Sequence, residues 1–192
     1  MQFENSKNFI LYKLKTELST LLSYHNVDHV IDVYNAAKII AGKEGVAGED
    51  LLLLLTAALY HDAGFLIGNN EHELKSCEIV RQYLPQYEYS NHQIDKICEI
   101  IMATKIPQSP TDLLGEIICD ADLDYLGRDD FFSIGNRLCE ELLNLQILAS
   151  EDEWNRLQVK FLEAHHYFTK TAISLRNTAK KQNLQAVKNK IQ

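Results

Sequence analysis

The chain has 192 residues, 46% hydrophobic and 24% charged, with only 3 prolines and 8 glycines, a balance that excludes disordered, collagen-like and low-complexity classes and leans towards helix. Its formal charge of −8 argues against non-specific nucleic-acid binding by the molecule as a whole. The charge is uneven: residues 1–155 carry 11 Lys and Arg against 26 Asp and Glu, whereas residues 156–192 carry 8 against 1. The common reason for such a basic segment is a helix docking on its own acidic domain, the alternative being an acidic partner or RNA.

Taken in chain order, Phe9, Ile10, Leu11, Leu14, Leu18, Leu21 and Leu22 recur at helical spacing and predict a first amphipathic helix. Val30, Val33, Tyr34, Ala37 and Ile40 predict a second. The run GEDLLLLLTAALYHDAG opens on acids, is apolar all round and stops at Gly64, the pattern of a central buried helix. Helical patterns at Glu71–Tyr83 and Asn91–Ala103 are separated by Pro85, and TKIPQSPTD, with Pro107 and Pro110, breaks the chain before LLGEIIC. DDFFSIGNRLCEELLNL and SEDEWNRLQVKFLEA each open on acidic residues that favour a helix N-terminus. The basic end is helix-compatible but weakly amphipathic, and its last ten residues are expected to fray. No run alternates with period two, so the expected fold is all-α, one domain over residues 1–192 with about seven to nine helices.

The N-terminus has no secretory pattern, and the longest apolar run, Leu51–Tyr60, is about half of the ~20 residues that span a membrane. A cytoplasmic protein with no membrane partner is the expectation. Cys77, Cys98, Cys119 and Cys139 form no C-x-x-C pair and are expected to be reduced, buried thiols. His92, His165 and His166 are expected at the surface.

Three stretches carry chemistry. In YHNVDHVIDV, His25 and His29 stand four residues apart on one helix face, so one metal could take both. The spacing is that of H-E-x-x-H proteases, but Asn26 stands where the glutamate base would be, which removes that reading. In LYHDAG, His61 and Asp62 end the most apolar helix, where burial is costly unless the pair is matched or metal-bound; a helix cap and a satisfied core histidine are the structural alternative. In CDADLDYLGRDDF, Asp120, Asp122 and Asp124 invite comparison with a calcium loop. It fails, because Tyr125 and Phe131 stand where that loop has Gly and Glu. On a helix Asp122 cannot share a face with both of its neighbours. His29, His61, Asp62 and Asp122 together make a mixed nitrogen and oxygen set suited to a catalytic transition metal with open positions.

The order H…HD…D, as His29, His61-Asp62 and Asp122, resembles the HD superfamily of metal-dependent phosphohydrolases over roughly residues 20–130. YHNVDHVIDV is similar to the Y-H-N-x-x-H-x-x-D-V segment of class I cyclic nucleotide phosphodiesterases, and DADL to their A-D-L/I segment. The chain departs from them after the doublet, where HDAGFLIG replaces H-D-x-x-H-P-G, and it is too short for their whole catalytic domain.

The resemblance implies a helical bundle of the HD-domain type with these four metal ligands at its centre and the C-terminal helices of residues 129–192 packed on it. It implies one or two divalent ions (Mn, Fe, Co, Ni, Zn or Mg). The reaction implied is hydrolysis of a small phosphorylated substrate, a nucleotide, cyclic nucleotide or related ester, by a metal-activated water. Carried over by residue, His25 is the general acid, and Asp62 is both ligand and catalytic group. His72 matches a histidine found after H-D-x-G. Asp120 and Asp124 would orient ligands or water, and Lys105 or Arg128 would bring positive charge to the phosphate. A non-catalytic regulatory module and a di-iron oxygenase of the same fold are the readings from other classes. A homo-oligomer is compatible with all three.

Overall fold

The computed structural model describes residues 1–191, which form nine α-helices and no strand: α1 (Phe3–Glu17), α2 (Val27–Lys43), α3 (Gly48–Tyr60), α4 (His72–Tyr83), α5 (Asn91–Ala103), α6 (Leu113–Asp122), α7 (Phe131–Asn144), α8 (Glu151–Ala164) and α9 (Lys170–Lys188). Short 3-10 turns span Ala63–Leu66, Leu84–Tyr87 and Asp124–Gly127. None of the described helices is long and apolar enough to cross a membrane.

Helix α3 is the axis of the molecule. Every residue from Leu53 to Tyr60 is buried, and α1, α2, α5 and α6 surround it; each such leucine contributes about 1.5–3 kcal/mol by leaving water. The polar groups in this core are matched, with the Tyr60 hydroxyl donating to the Ser6 carbonyl and the Tyr89 hydroxyl standing between Ser6 and Thr56. A second, smaller apolar cluster, including Tyr24, Leu126, Phe131, Leu162 and Val187, lies where α7, α8 and α9 meet the turn at Asp124–Gly127.

Local chemistry sets the boundaries. Asn26 caps α2 by accepting from the backbone N–H groups of Asp28 and His29, which fixes His29 in the first turn. Ser90 and Gln93 close a capping box on α5. Helix α1 is shorter than its apolar spacing predicts: it ends at Glu17, and the Ser19 hydroxyl and carbonyl accept from the N–H groups of Leu21 and Leu22, a local turn that competes with the helix. The basic end, expected to fray, is helical to Lys188, because Lys180 and Val187 are buried and Lys188 pairs with Glu163 at 2.6 Å. Gln192 lies outside the described residues. All four cysteines are free and buried.

Candidate metal centre

Three elements deliver the polar cluster. His29 comes from the first turn of α2, His61 and Asp62 from the end of α3, and Asp122 from the last turn of α6. Gly64 makes this possible: a Cβ there would lie 1.9 Å from the His72 carbonyl oxygen, so only glycine lets α4 approach the end of α3. The Ser76 hydroxyl locks this contact, donating to the His61 carbonyl and accepting from the Gly64 N–H.

The donor atoms converge. His29 Nε2 stands 3.3 Å from Asp62 Oδ2 and 3.2 Å from Asp122 Oδ1. His61 Nε2 stands 3.3 and 3.5 Å from the same two oxygens and 3.4 Å from His29 Nε2. Donors each about 2.1 Å from a common ion stand about 3.0–3.4 Å apart, so His29, His61 and Asp122 form a group that could hold a divalent metal, with Asp62 Oδ2 beside both imidazoles. A second observation agrees: Asp62 Oδ2 is buried and has no hydrogen-bond donor, a costly condition that a cation relieves. His61 Nδ1 donates to the Ala58 carbonyl at 2.8 Å, which leaves Nε2 as the lone-pair nitrogen facing the cluster.

The electrostatics are those of groups that share charge. Burial alone would push the His29 and His61 imidazoles down, but Asp62 and Asp122 outweigh it and hold both above the ordinary value, His61 strongly. Burial would likewise push Asp62 and Asp122 up, and the two imidazoles hold both carboxyls well below the usual carboxylate range.

Around the cluster stands a ring of aromatic and acidic groups. His25 is set by Glu141 of α7, which is 1% exposed: Glu141 accepts from the backbone N–H groups of Tyr24 and His25 and binds His25 Nδ1. Burial pushes the Glu141 carboxyl up, and His25 with these N–H groups brings it below its ordinary value. Phe65 is stacked between His25 (4.3 Å) and His72 (4.5 Å). His72 Nε2 lies 3.4 Å from Asp62 Oδ1, whereas the two imidazoles of the cluster stand nearest Oδ2, and 3.5 Å from Glu73.

Other expected site residues stand elsewhere. Asp120 does not turn to the cluster. Its two oxygens accept from the backbone N–H groups of Phe168 and Thr169, both at 2.8 Å, and tie α6 to the start of α9; burial pushes its carboxyl up to about 6 despite those bonds. Asp124 is held by Arg176 through two bonds of 2.7 and 2.9 Å. Arg128 lines a smaller pocket that also reaches Tyr24 and His29, but it is bound to both oxygens of Asp32 at 2.8 Å and to Asp130 at 2.6 Å, so its charge is spent on carboxylates. Lys105 is exposed on the loop after α5 and does not line the cavity. His92 and His166 are exposed, but His165 is half-buried against Phe161 and Tyr167, a correction to its expected surface position.

Glu141 and Phe65 escape sequence reasoning. The one available signal for Glu141 is its place on the apolar face of α7, seven residues after Ile134 and three after Leu138, where an acid is out of pattern.

A family model described as the HD domain matches residues 26–124, just over half of the chain. The chain is 28% identical over 111 residues to an uncharacterized protein of Clostridium beijerinckii, covering 55% of this chain and 70% of that one. Its fold is similar to that of a protein described as a predicted HD superfamily hydrolase from an uncultured Thermotogales bacterium, with a TM-score of 0.65, 18% identity and coverage of 97% and 89%. Bacillus subtilis YpgQ in complex with ADP gives a TM-score of 0.67, 18% identity and coverage of 98% and 95%. A Lactobacillus plantarum protein gives 0.67, 20%, 99% and 98%.

Proposed function

Because the chain belongs to the HD-domain family, we propose that it is a metal-dependent phosphohydrolase acting on a small phosphate ester. The observation that carries this reading is that the His29 and His61 Nε2 atoms stand 3.2–3.5 Å from each other and from one oxygen each of Asp62 and Asp122, with Asp62 Oδ2 buried and unsatisfied. His29, His61, Asp62 and Asp122 would hold the ion, which supplies Lewis acidity to a phosphoryl oxygen and lowers the pKa of water to about 7.

The chain's own groups do the rest. With Nδ1 of His25 engaged by Glu141, Nε2 is the nitrogen left for proton exchange, and the ring borders the cavity where a leaving oxygen would sit. The buried carboxylate fixes the orientation of that ring. His72 stands 3.4 Å from the second oxygen of Asp62, and the proposed centre takes one ion, or two bridged through Asp62. The relative of the same fold in complex with ADP makes a nucleotide one candidate ester. The family match reaches the superfamily and not its phosphodiesterase branch, so cyclic nucleotides stand in the panel on equal terms. Four free cysteines fit the cytoplasm.

The test is hydrolysis of phosphate monoesters, nucleotides and cyclic nucleotides by protein loaded with each candidate metal, with Asp62→Ala as control. Turnover that this substitution abolishes supports the reading. Stoichiometric metal without turnover on any ester would favour the regulatory module, and oxygen consumption by the iron-loaded protein the oxygenase.

A further inference from the structure

The cluster forms one end of a cavity of about 230 Å³ whose far wall is made by α7 and α8. We propose that this cavity seats the alcohol part of the substrate, and that it selects esters with a single phosphoryl group on an uncharged, largely apolar alcohol carrying one amide-type hydrogen-bonding edge, read by Gln158. The proposal rests on the phosphohydrolase reading above and narrows it, setting nucleotides and other sugar phosphates aside.

Three observations carry it. Away from the cluster the wall is apolar, with Leu126, Phe131, Leu138, Trp154, Phe161 and Leu162 turned to the space. Trp154, Gln158, Phe161 and Leu162 follow at helical spacing, so one face of α8 presents them together. No lysine or arginine lines the cavity, whereas Asp62, Glu73 and Asp122 do. One phosphoryl group can be met by the metal, but within this cavity the second and third of a polyphosphate would meet carboxylates and no cation; Arg128 and Arg137 line a separate pocket that reaches His29, where Arg128 is held by Asp32 and Asp130.

Gln158 is the third observation. It is only 7% exposed and lines the cavity, and no hydrogen bond of the described residues involves its amide. Of the other polar groups of the wall, Thr104 donates to the Ile101 carbonyl, while Tyr24 and Tyr125 stand ring to ring at 5.8 Å near the cluster end. Gly135 gives the amide its seat, since a Cβ there would lie 2.9 Å from Gln158 Nε2. Once a ligand fills the cavity, an amide left without a partner is costly, and a purely hydrocarbon ligand would leave it so. A sugar phosphate errs the other way, bringing several hydroxyls to a wall with one amide to answer them.

Trp154 is the only tryptophan in the chain and lines this cavity, so its fluorescence reports occupancy without turnover. We would titrate phenyl phosphate, 3-carbamoylphenyl phosphate, glycerol phosphate and adenosine triphosphate into the metal-loaded protein. The expected order places 3-carbamoylphenyl phosphate about tenfold tighter than phenyl phosphate, the order of one net hydrogen bond, with the other two weaker than both. Gln158→Leu should remove the tenfold and leave phenyl phosphate as tight or tighter, and Gly135→Ala, by displacing the amide, should shift the pair the same way. Equal weakening of both aryl esters by Gln158→Leu, or tighter binding of the triphosphate or glycerol phosphate, would overturn the proposal. The wild-type order decides even if a variant fails to fold. Aryl esters that bind in this order but are never hydrolysed would sink the phosphohydrolase reading alone; esters hydrolysed without this order or a Trp154 response would sink the seat alone.

Discussion

The two ends of the cavity are built on opposite principles. At the cluster end, α2, α3 and α6 bring the two imidazoles of His29 and His61 within 3.5 Å of each other and of both the Asp62 and Asp122 carboxylates. At the far end, α7 and α8 supply a wall of leucine and aromatic side chains with a single amide among them. The matched family segment, residues 26–124, holds the first end and stops before the second. On the proposed reading, chemistry and selectivity would sit on separate parts of the chain, joined by Glu141, which reaches from α7 to His25.

Breaking the cluster end should have the largest effect. Asp62→Ala removes the oxygen that faces both imidazoles, and metal affinity should fall by more than the roughly 10–100-fold that loss of an outer partner costs, read by metal content after dialysis and by calorimetry. Gly64→Ala comes next. Its Cβ would meet the His72 backbone at 1.9 Å, so the chain must shift, at an expected cost of about 3 kcal/mol by urea unfolding.

Glu141→Gln tests the join between the two ends. Turnover should fall by about 10–100-fold with metal content unchanged. Because the folded protein holds Glu141 below its ordinary value of 4.5, the unfolded chain takes up the proton first as pH falls. The stability that Glu141 contributes is therefore full above pH 4.5 and is lost as pH drops through the lower folded value. The gap in melting temperature between wild type and Glu141→Gln should be open at neutral pH and close in acid; a gap that widens in acid would refute this.

Two smaller effects sharpen the contrast. Asp120→Asn leaves one of the Phe168 and Thr169 N–H groups facing an amide donor and should cost about 1–3 kcal/mol, with turnover per folded molecule unchanged. Lys105→Ala, on the exposed loop, should change stability by less than about 0.5 kcal/mol and leave aryl phosphate binding unchanged.

The cluster end is legible in the chain because its residues are unusual where they stand. A histidine and an aspartate at the end of an apolar helix, as at His61 and Asp62, demand an explanation from local sequence alone. Helix α5 is legible for a similar reason, since Ser90 and Gln93 announce its start. Asp120, Asp122 and Asp124 show the limit. Their spacing says that they point apart, but not that Asp120 would meet the start of α9 and Asp124 the guanidinium of Arg176.

What the amino-acid sequence by itself determined was the all-α fold, eight of the nine helix positions with firm apolar spacing, and the four residues His29, His61, Asp62 and Asp122, because helical periodicity and buried charge are local signals. The tertiary structure alone decided which acid supports His25, which basic residues are spent on carboxylates, and that α7 and α8 close a cavity rather than a solid core. Glu140 and Glu141 are neighbours of one type, yet only Glu141 is turned inward. A leucine or tryptophan lining a pocket is the same residue as one filling a core, and only the space left beside it tells the two apart.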